Sequence, residues 1–292
     1  MRSPELEKFL ANFPQCMMDA EDPLEAVRAK MLAIHPRDHG PDTVVERCEI
    51  AGVECAWMST PKTDESRSVF FVHGGAFVST GITEYMTYGQ SVANFCGAKV
   101  LVPAYSLAPE VQHPSQLDEL VAVWDAAGLD PERTAFMGDS CGGGMALALL
   151  GRLRDAGRPL PACYAGLTPW LDAEQLGDAA QKSRGVDPFV NADWIRARFR
   201  DYAGSGSLDA PDLSPIHLDA KGLPPLYLGV GTIDTVCDDS TRFASHAAQA
   251  GVQVLLDVVG GHIHGLHGLA GMCPESDQAM ERVGTFVRTY IP

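Results

Sequence analysis

Short runs of apolar residues alternate along this chain with longer stretches whose apolar positions recur every three or four residues. Leu6, Phe9, Leu10 and Phe13 share one face, as do Leu24, Val27, Met31 and Leu32, which predicts two helical pieces within residues 4–34. Residues 44–50 and 53–58 alternate on either side of Ala51-Gly52, a hairpin signal. Residues 68–72 read as a buried strand running into His73-Gly74-Gly75-Ala76-Phe77; a helical piece follows near residues 85–95, then a strand over 100–105. Ser115 opens a helix with Asp118 at capping-box spacing and Leu117, Leu120, Val121 and Trp124 on one face.

The second half repeats the alternation. Residues 134–137 meet Gly138-Asp139-Ser140-Cys141-Gly142, and a helix-forming run continues to Gly151. A strand over 162–167 ends in Thr168-Pro169-Trp170. Residues 171–215 lose strand character and gain Gly, Asp and Pro, apart from one amphipathic helix capped by Asn191 and carrying Trp194, Ile195 and Phe199. Strands over 226–230 and 252–259 flank a helix near 238–250, and a terminal helix aligns Met280, Val283, Phe286 and Val287. Such a succession predicts an α/β protein: a mostly parallel central sheet with helices on both faces. In these sheets the ligand site lies outside the carboxyl ends of the strands.

Composition narrows the class. At 292 residues, 46% hydrophobic and 21% charged, the chain supports a sizeable core. A net charge of −16 argues against nucleic acid or an anionic membrane surface as a partner, because both need basic patches. The first residues intersperse charges and lack the apolar stretch of a secretory signal, and no run is long enough to span a bilayer, so a cytoplasmic protein is expected. The eight cysteines form no Cys-x-x-Cys pair and lie mostly in apolar runs, as buried free thiols would.

The candidate chemistry sits at strand ends. Strand, sharp turn and helix around Ser140 is the setting of a G-x-S-x-G nucleophile elbow; the same pentapeptide also reads as a turn whose serine caps the helix. A serine hydroxyl needs a base, and the base an orienting acid. Asp234 follows a strand directly, whereas Asp238 and Asp239 are better placed to cap the next helix. Gly261-His262-Ile263-His264-Gly265-Leu266-His267 offers three bases, and a metal site is a weaker reading of the same histidines. Backbone N–H groups of Gly74, Gly75 and Ala76, with that of Cys141, could surround an oxyanion.

Five motifs in one order resemble the bacterial hormone-sensitive-lipase-like esterases of the α/β-hydrolase fold. His73-Gly74-Gly75-Ala76-Phe77 is similar to the family's His-Gly-Gly-Gly-aromatic loop, and Gly138 to Gly143 to its Gly-Asp-Ser-Ala-Gly-Gly elbow. Tyr105-Ser106-Leu107-Ala108-Pro109-Glu110 resembles its Tyr-Arg-Leu-Ala-Pro-Glu, Ile233-Asp234 its acid loop, and Gly261 to Leu266 its Gly-x-x-His-Gly-Phe loop. The last of these implies His264 as the base, with His262 the fallback. Ala76, Cys141 and Ser106 depart from the family's glycine, alanine and arginine, and none of them removes a catalytic group.

The resemblance implies a catalytic core over residues 41–170 and 216–292, and a helical cap from residues 1–40 and 171–215. Phe77, Trp170, Trp194 and Phe199, with Met17 and Met18, are candidates to line the pocket beneath that cap. It further implies a serine carboxylesterase that acts on short-chain acyl esters through Ser140, Asp234 and His264, with no cofactor and no metal. A lactone hydrolase with the same triad, and a non-catalytic ligand receptor on the same fold, are the rival readings. A homodimer paired through the last strand and terminal helix is compatible with the family pattern.

Overall fold

The computed structural model describes residues 2–14, 17–35, 39–182 and 186–292. Two helices, α1 (Pro4–Asn12) and α2 (Leu24–Ile34), precede a hairpin of β1 (Val44–Ile50) and β2 (Val53–Ser59). Then come β3 (Asp64–Val72), α3 (Ile82–Cys96), β4 (Ala98–Pro103), α4 (Ser115–Ala126), β5 (Thr134–Asp139), α5 (Cys141–Asp155) and β6 (Cys163–Leu167). The chain continues through α6 (Asp178–Lys182), α7 (Ala192–Ala203), β7 (Leu226–Gly231), α8 (Cys237–Gln249), β8 (Val254–Val259) and α9 (Pro274–Tyr290).

The eight strands form one sheet in the order β1-β2-β4-β3-β5-β6-β7-β8. Only β2 runs against its neighbours; from β4 to β8 every pairing is parallel. Side chains of β3 alternate accordingly. Val69 and Phe71 pack with α3 and α9 on one face, while Phe70 and Val72 pack with α4 and α5 on the other. The Trp124 ring, the last large apolar side chain of α4, meets Phe136 of β5 edge-on at 4.7 Å. Both faces are thus buried, as an all-apolar parallel strand requires.

Most elements fall where the hydrophobic pattern puts them; β3 starts at Asp64, ahead of its apolar run, the short α6 carries no apolar stripe that announces it, and two helix ends differ from expectation. Ser115 does not cap α4: Pro114 occupies the cap position, and the Asp118 carboxylate instead pairs with Arg152. Nor do Asp238 and Asp239 cap α8, whose cap position is held by Val236. Asp239 reaches across to accept the backbone N–H groups of Leu171 and Asp172, and Asp238 accepts that of Ala179. These carboxylates tie down the segment after β6. Asn191 does cap α7, accepting the N–H of Trp194 at 3.0 Å.

The N-terminal helices lie against the loops at the carboxyl ends of the strands. Arg28 of α2 donates to the carbonyl of Val78 at 2.8 Å and pairs with Glu110. The Met17 N–H bonds Pro188 O at 2.9 Å, and the Asn191 amide donates to Met18 O at 2.7 Å, joining the N-terminal segment to the stretch before α7. Among the described residues no helix is long and apolar enough to cross a membrane. Seven of the cysteines are free thiols in the structure; Cys16 lies outside the described residues.

Candidate active site

Strand β5, near the middle of the sheet, delivers Ser140 into a backbone conformation (φ 55°, ψ −127°) that a serine adopts only when the surroundings enforce it. Enforcement comes from both sides. The Ser140 N–H bonds Leu167 O at 2.9 Å, and the Trp170 N–H bonds Ser140 O at 3.0 Å. Gly142 lets α5 start hard against β3: a Cβ there would lie 2.2 Å from Val72 O and 2.3 Å from His73 O.

Strands β7 and β8 bring the other two groups to the same end of the sheet. Ser140 Oγ lies 3.0 Å from His264 Nε2, and His264 Nδ1 lies 3.1 Å from Asp234 Oδ1 and 3.2 Å from Oδ2. Asp234 Oδ1 also accepts the N–H of Val236 at 2.9 Å, which fixes the carboxylate. Burial alone would lower the basicity of His264, but the adjoining Asp234, with weaker help from Asp187 and Asp139, outweighs it and raises its pKa to about 8.

The neighbouring histidines face elsewhere. His262 Nδ1 accepts the N–H of Ile263 and its Nε2 meets Ser276 Oγ at 3.1 Å; burial lowers its pKa. His267 is buried beside Tyr227, and burial pushes its pKa down to about 3. Of the three, only His264 reaches Ser140.

Two features escaped the sequence reading. Asp187, from the stretch before α7, is buried beside the triad; its Oδ2 takes the N–H groups of Thr235 at 3.2 Å and His264 at 3.4 Å. Burial first, then the charge of Asp234, raises its pKa to about 7. An aspartate in a Gly- and Asp-rich segment carries no signal of such a role. The second is that the Trp170 indole N–H points at His264 Nε2 from 3.2 Å.

The loop after β3 lies opposite the histidine. Gly75 and Ala76 border the same cavity as Ser140, with positive φ of 111° and 57°. Gly75 must be glycine, since a Cβ would fall 2.1 Å from Ser79 O. Gly74 does not line the cavity; a Cβ there would meet the Tyr85 hydroxyl and Asp139. The Cys141 side chain turns away from the cavity and its Sγ accepts the Phe77 N–H at 3.2 Å. Burial pushes that thiol up to about 12. His73 stacks on Tyr105 with ring centres 4.2 Å apart, and burial holds it neutral with a pKa of about 4.

A cavity of about 680 Å³ opens above Ser140, walled by Phe9, Phe13, Trp170, Phe189, Trp194 and Met272 among others. Of the expected pocket residues, Trp170 and Trp194 are on this wall. Phe77 and Phe199 are not on the wall: Phe77 stacks on Tyr202 at 4.2 Å and lies 5.1 Å from Phe199, so the pair backs Trp170 from behind. Met17 and Met18 belong to the core and do not border the cavity.

The alpha/beta hydrolase fold family matches residues 69–268. The chain is 30% identical over 252 residues to the putative acetyl-hydrolase LipR of Mycobacterium tuberculosis, covering 85% of this chain and 82% of that protein. It belongs to the α/β-hydrolase family. Within this family it is one of the hormone-sensitive-lipase-like esterases: the crystal structure of an esterase from the bacterial hormone-sensitive lipase family superposes with a TM-score of 0.90 at 32% identity, over 100% of both chains. The crystal structure of EstE5 soaked by p-nitrophenyl butyrate superposes with a TM-score of 0.91 at 30% identity over 99% of both chains. An acetyl-hydrolase of Streptomyces hygroscopicus is 30% identical over 78% of each chain. The α/β-hydrolase chain order of serine, acid and histidine is the order of Ser140, Asp234 and His264.

Proposed function

We propose that this esterase hydrolyses short-chain carboxylic esters through an acyl-serine intermediate. The observation that carries the reading is the relay on the cavity floor: Ser140 Oγ is 3.0 Å from His264 Nε2, and His264 Nδ1 is 3.1 Å from Asp234. His264 takes the Ser140 proton as Oγ attacks the ester carbonyl, then returns it to the departing alcohol. Asp234 keeps the Nδ1–H tautomer and stabilises the imidazolium. Backbone N–H groups of Gly75, Ala76 and Cys141 stabilise the oxyanion. Water repeats the sequence in reverse roles to free the acid.

The short-chain preference draws support from the acetyl-hydrolases among its relatives and from the butyrate ester used with EstE5. Residues 1–40 and 171–215 act as a cap over the cavity, a role supported by the places of Phe9, Phe13 and Trp194 on its wall. Two copies pair through β8 and α9, a reading supported by the edge position of β8 and its half-exposed Leu255, Leu256 and Val258. The cysteine pattern supports a reducing, cytoplasmic setting.

The deciding experiment combines a fluorophosphonate probe with a p-nitrophenyl ester series. Labelling at Ser140 that disappears in Ser140→Ala, and turnover that falls from butyryl to palmitoyl, are expected. Full esterase activity in a folded Ser140→Ala protein would overturn the mechanism, and equal rates for palmitoyl and butyryl esters would overturn the substrate class.

A further inference from the structure

His264 Nε2 is approached by two donors. Ser140 Oγ stands at 3.0 Å and the Trp170 indole nitrogen at 3.2 Å. A neutral imidazole offers one lone pair at that nitrogen, and an indole N–H can only donate. The two donors therefore converge on one point of space before any substrate arrives.

Trp170 is also held in place. Its backbone N–H is bonded to Ser140 O at 3.0 Å. Its ring meets Trp194 edge-on at 5.6 Å, with Phe77 at 6.0 Å and Phe199 at 5.9 Å behind it, and the residue is almost wholly buried while forming part of the cavity wall. Such packing leaves the indole little room to turn away during turnover.

Once the serine proton has moved to Nε2, that nitrogen becomes a donor, and the Trp170 N–H loses its acceptor. Two N–H groups then stand 3.2 Å apart at the edge of the cavity beside Ser140, close enough for one oxygen to accept from both. In acylation that atom is the alcohol oxygen of the ester. We propose that Trp170 is a catalytic residue whose indole N–H donates a hydrogen bond to the leaving-group oxygen alongside the His264 Nε2–H. This inference rests on the serine-esterase reading above.

The step balances without any further reagent. The C–O bond of the tetrahedral intermediate breaks and its electron pair goes to the departing oxygen, while an oxyanion lone pair re-forms the carbonyl. The proton on His264 Nε2 transfers to the departing oxygen, giving the free alcohol. The Trp170 proton stays on the indole throughout; it lowers the energy of the developing alkoxide and is not transferred. In deacylation the attacking water occupies the same point, accepting from Trp170 and donating to Nε2, which orients its remaining lone pair toward the acyl carbon.

A donor to the leaving group matters most when the leaving group is poor. Ethanol is a poor one and p-nitrophenol a good one, so ethyl butyrate and p-nitrophenyl butyrate report on the role with one acyl group. The variants are Trp170→Phe and a semisynthetic replacement of Trp170 by benzothienylalanine, which keeps the bicyclic shape and lacks the N–H. For both, kcat/KM on ethyl butyrate should fall about 10–100-fold, the size of losing one donor to a developing charge. On p-nitrophenyl butyrate the fall should be smaller by about tenfold, so the ratio of the two esters, which loss of wall contacts does not move, is the readout. Equal falls on the two esters would mark Trp170 as wall only, and unchanged ethyl ester turnover in the benzothienyl variant would equally overturn the role. Ser140→Ala, assayed beside them, separates the two hypotheses: if it abolishes both activities while the Trp170 variants keep the wild-type ester ratio, this inference alone fails, and if it abolishes neither, the esterase mechanism fails.

Discussion

The Asp187 carboxylate receives the backbone N–H of His264 at 3.4 Å, and so couples the segment before α7 directly to the base of the relay. The same oxygen takes the N–H of Thr235, next to Asp234, so one buried side chain spans the acid and base loops. Its negative charge also favours the protonated imidazole.

That coupling has a pH consequence. His264 acts as a base only when neutral, and with a pKa of about 8 it is largely protonated below that pH. The kcat/KM profile should therefore rise with pH and level off above about 8. In Asp187→Asn one carboxylate that favours the imidazolium is gone, leaving Asp234 and Asp139 as the acidic neighbours. The rising limb should shift to lower pH; a limb that stays put or moves upward would contradict the electrostatic role.

The acid assignment separates by variant. Asp234→Asn should drop kcat by about 10³–10⁴-fold in a folded protein, because the imidazole loses the partner that fixes its tautomer. Asp239→Ala should act on stability instead, leaving the N–H groups of Leu171 and Asp172 without their acceptor. A loss of about 2–4 kcal/mol in urea unfolding is expected. An Asp239→Ala protein of unchanged stability would mean that these two bonds are replaced by water.

The tight start of α5 leaves no room for a methyl group at position 142. Gly142→Ala would place a carbon within 2.3 Å of two backbone oxygens, Val72 O and His73 O, which no side-chain movement relieves. We expect a loss of more than about 3 kcal/mol or failure to accumulate as folded protein. Circular dichroism and urea unfolding of the purified variant give the answer, and wild-type stability would refute the close packing.

Cys141 neighbours the nucleophile yet should be chemically silent. Its thiol is buried, accepts from the Phe77 N–H, and has its pKa raised to about 12 by burial. Iodoacetamide at neutral pH should leave the Cys141 peptide unmodified in the folded protein and modify it fully in urea, as read by mass spectrometry. Alkylation at Cys141 in the folded state would show that the elbow opens on the timescale of the reagent.

Much of this protein is legible in one dimension because its elements are locally determined. Strands β5, β6 and β7 and the second half of β3, from Val69, are buried on both faces and read as mostly apolar runs, and α5 follows a turn that Gly138 and Gly142 make possible. Asn191 announces α7 because an Asx cap acts within three residues. Ser115 is the first residue of α4 and Pro114 holds the cap position, while Asp118 pairs with Arg152; Asp238 and Asp239 do not cap α8 because their carboxylates accept N–H groups from the segment after β6.

The residues of the relay were legible for the same reason: each directly follows a strand, and parallel strands bring their carboxyl ends together whatever the loops do. The spacing of side chains across loops is a tertiary property. That Phe77 and Phe199 sit behind Trp170 and not on the wall, and that Gly74 faces Asp139 and not the cavity, follows from how loops pack on one another. Asp187 and the Trp170 N–H meet His264 from 77 and 94 residues away. Order along the chain singled out Ser140, Asp234 and His264; only the folded contacts decided what else touches them, because hydrogen bonds between distant segments leave no periodicity in a sequence.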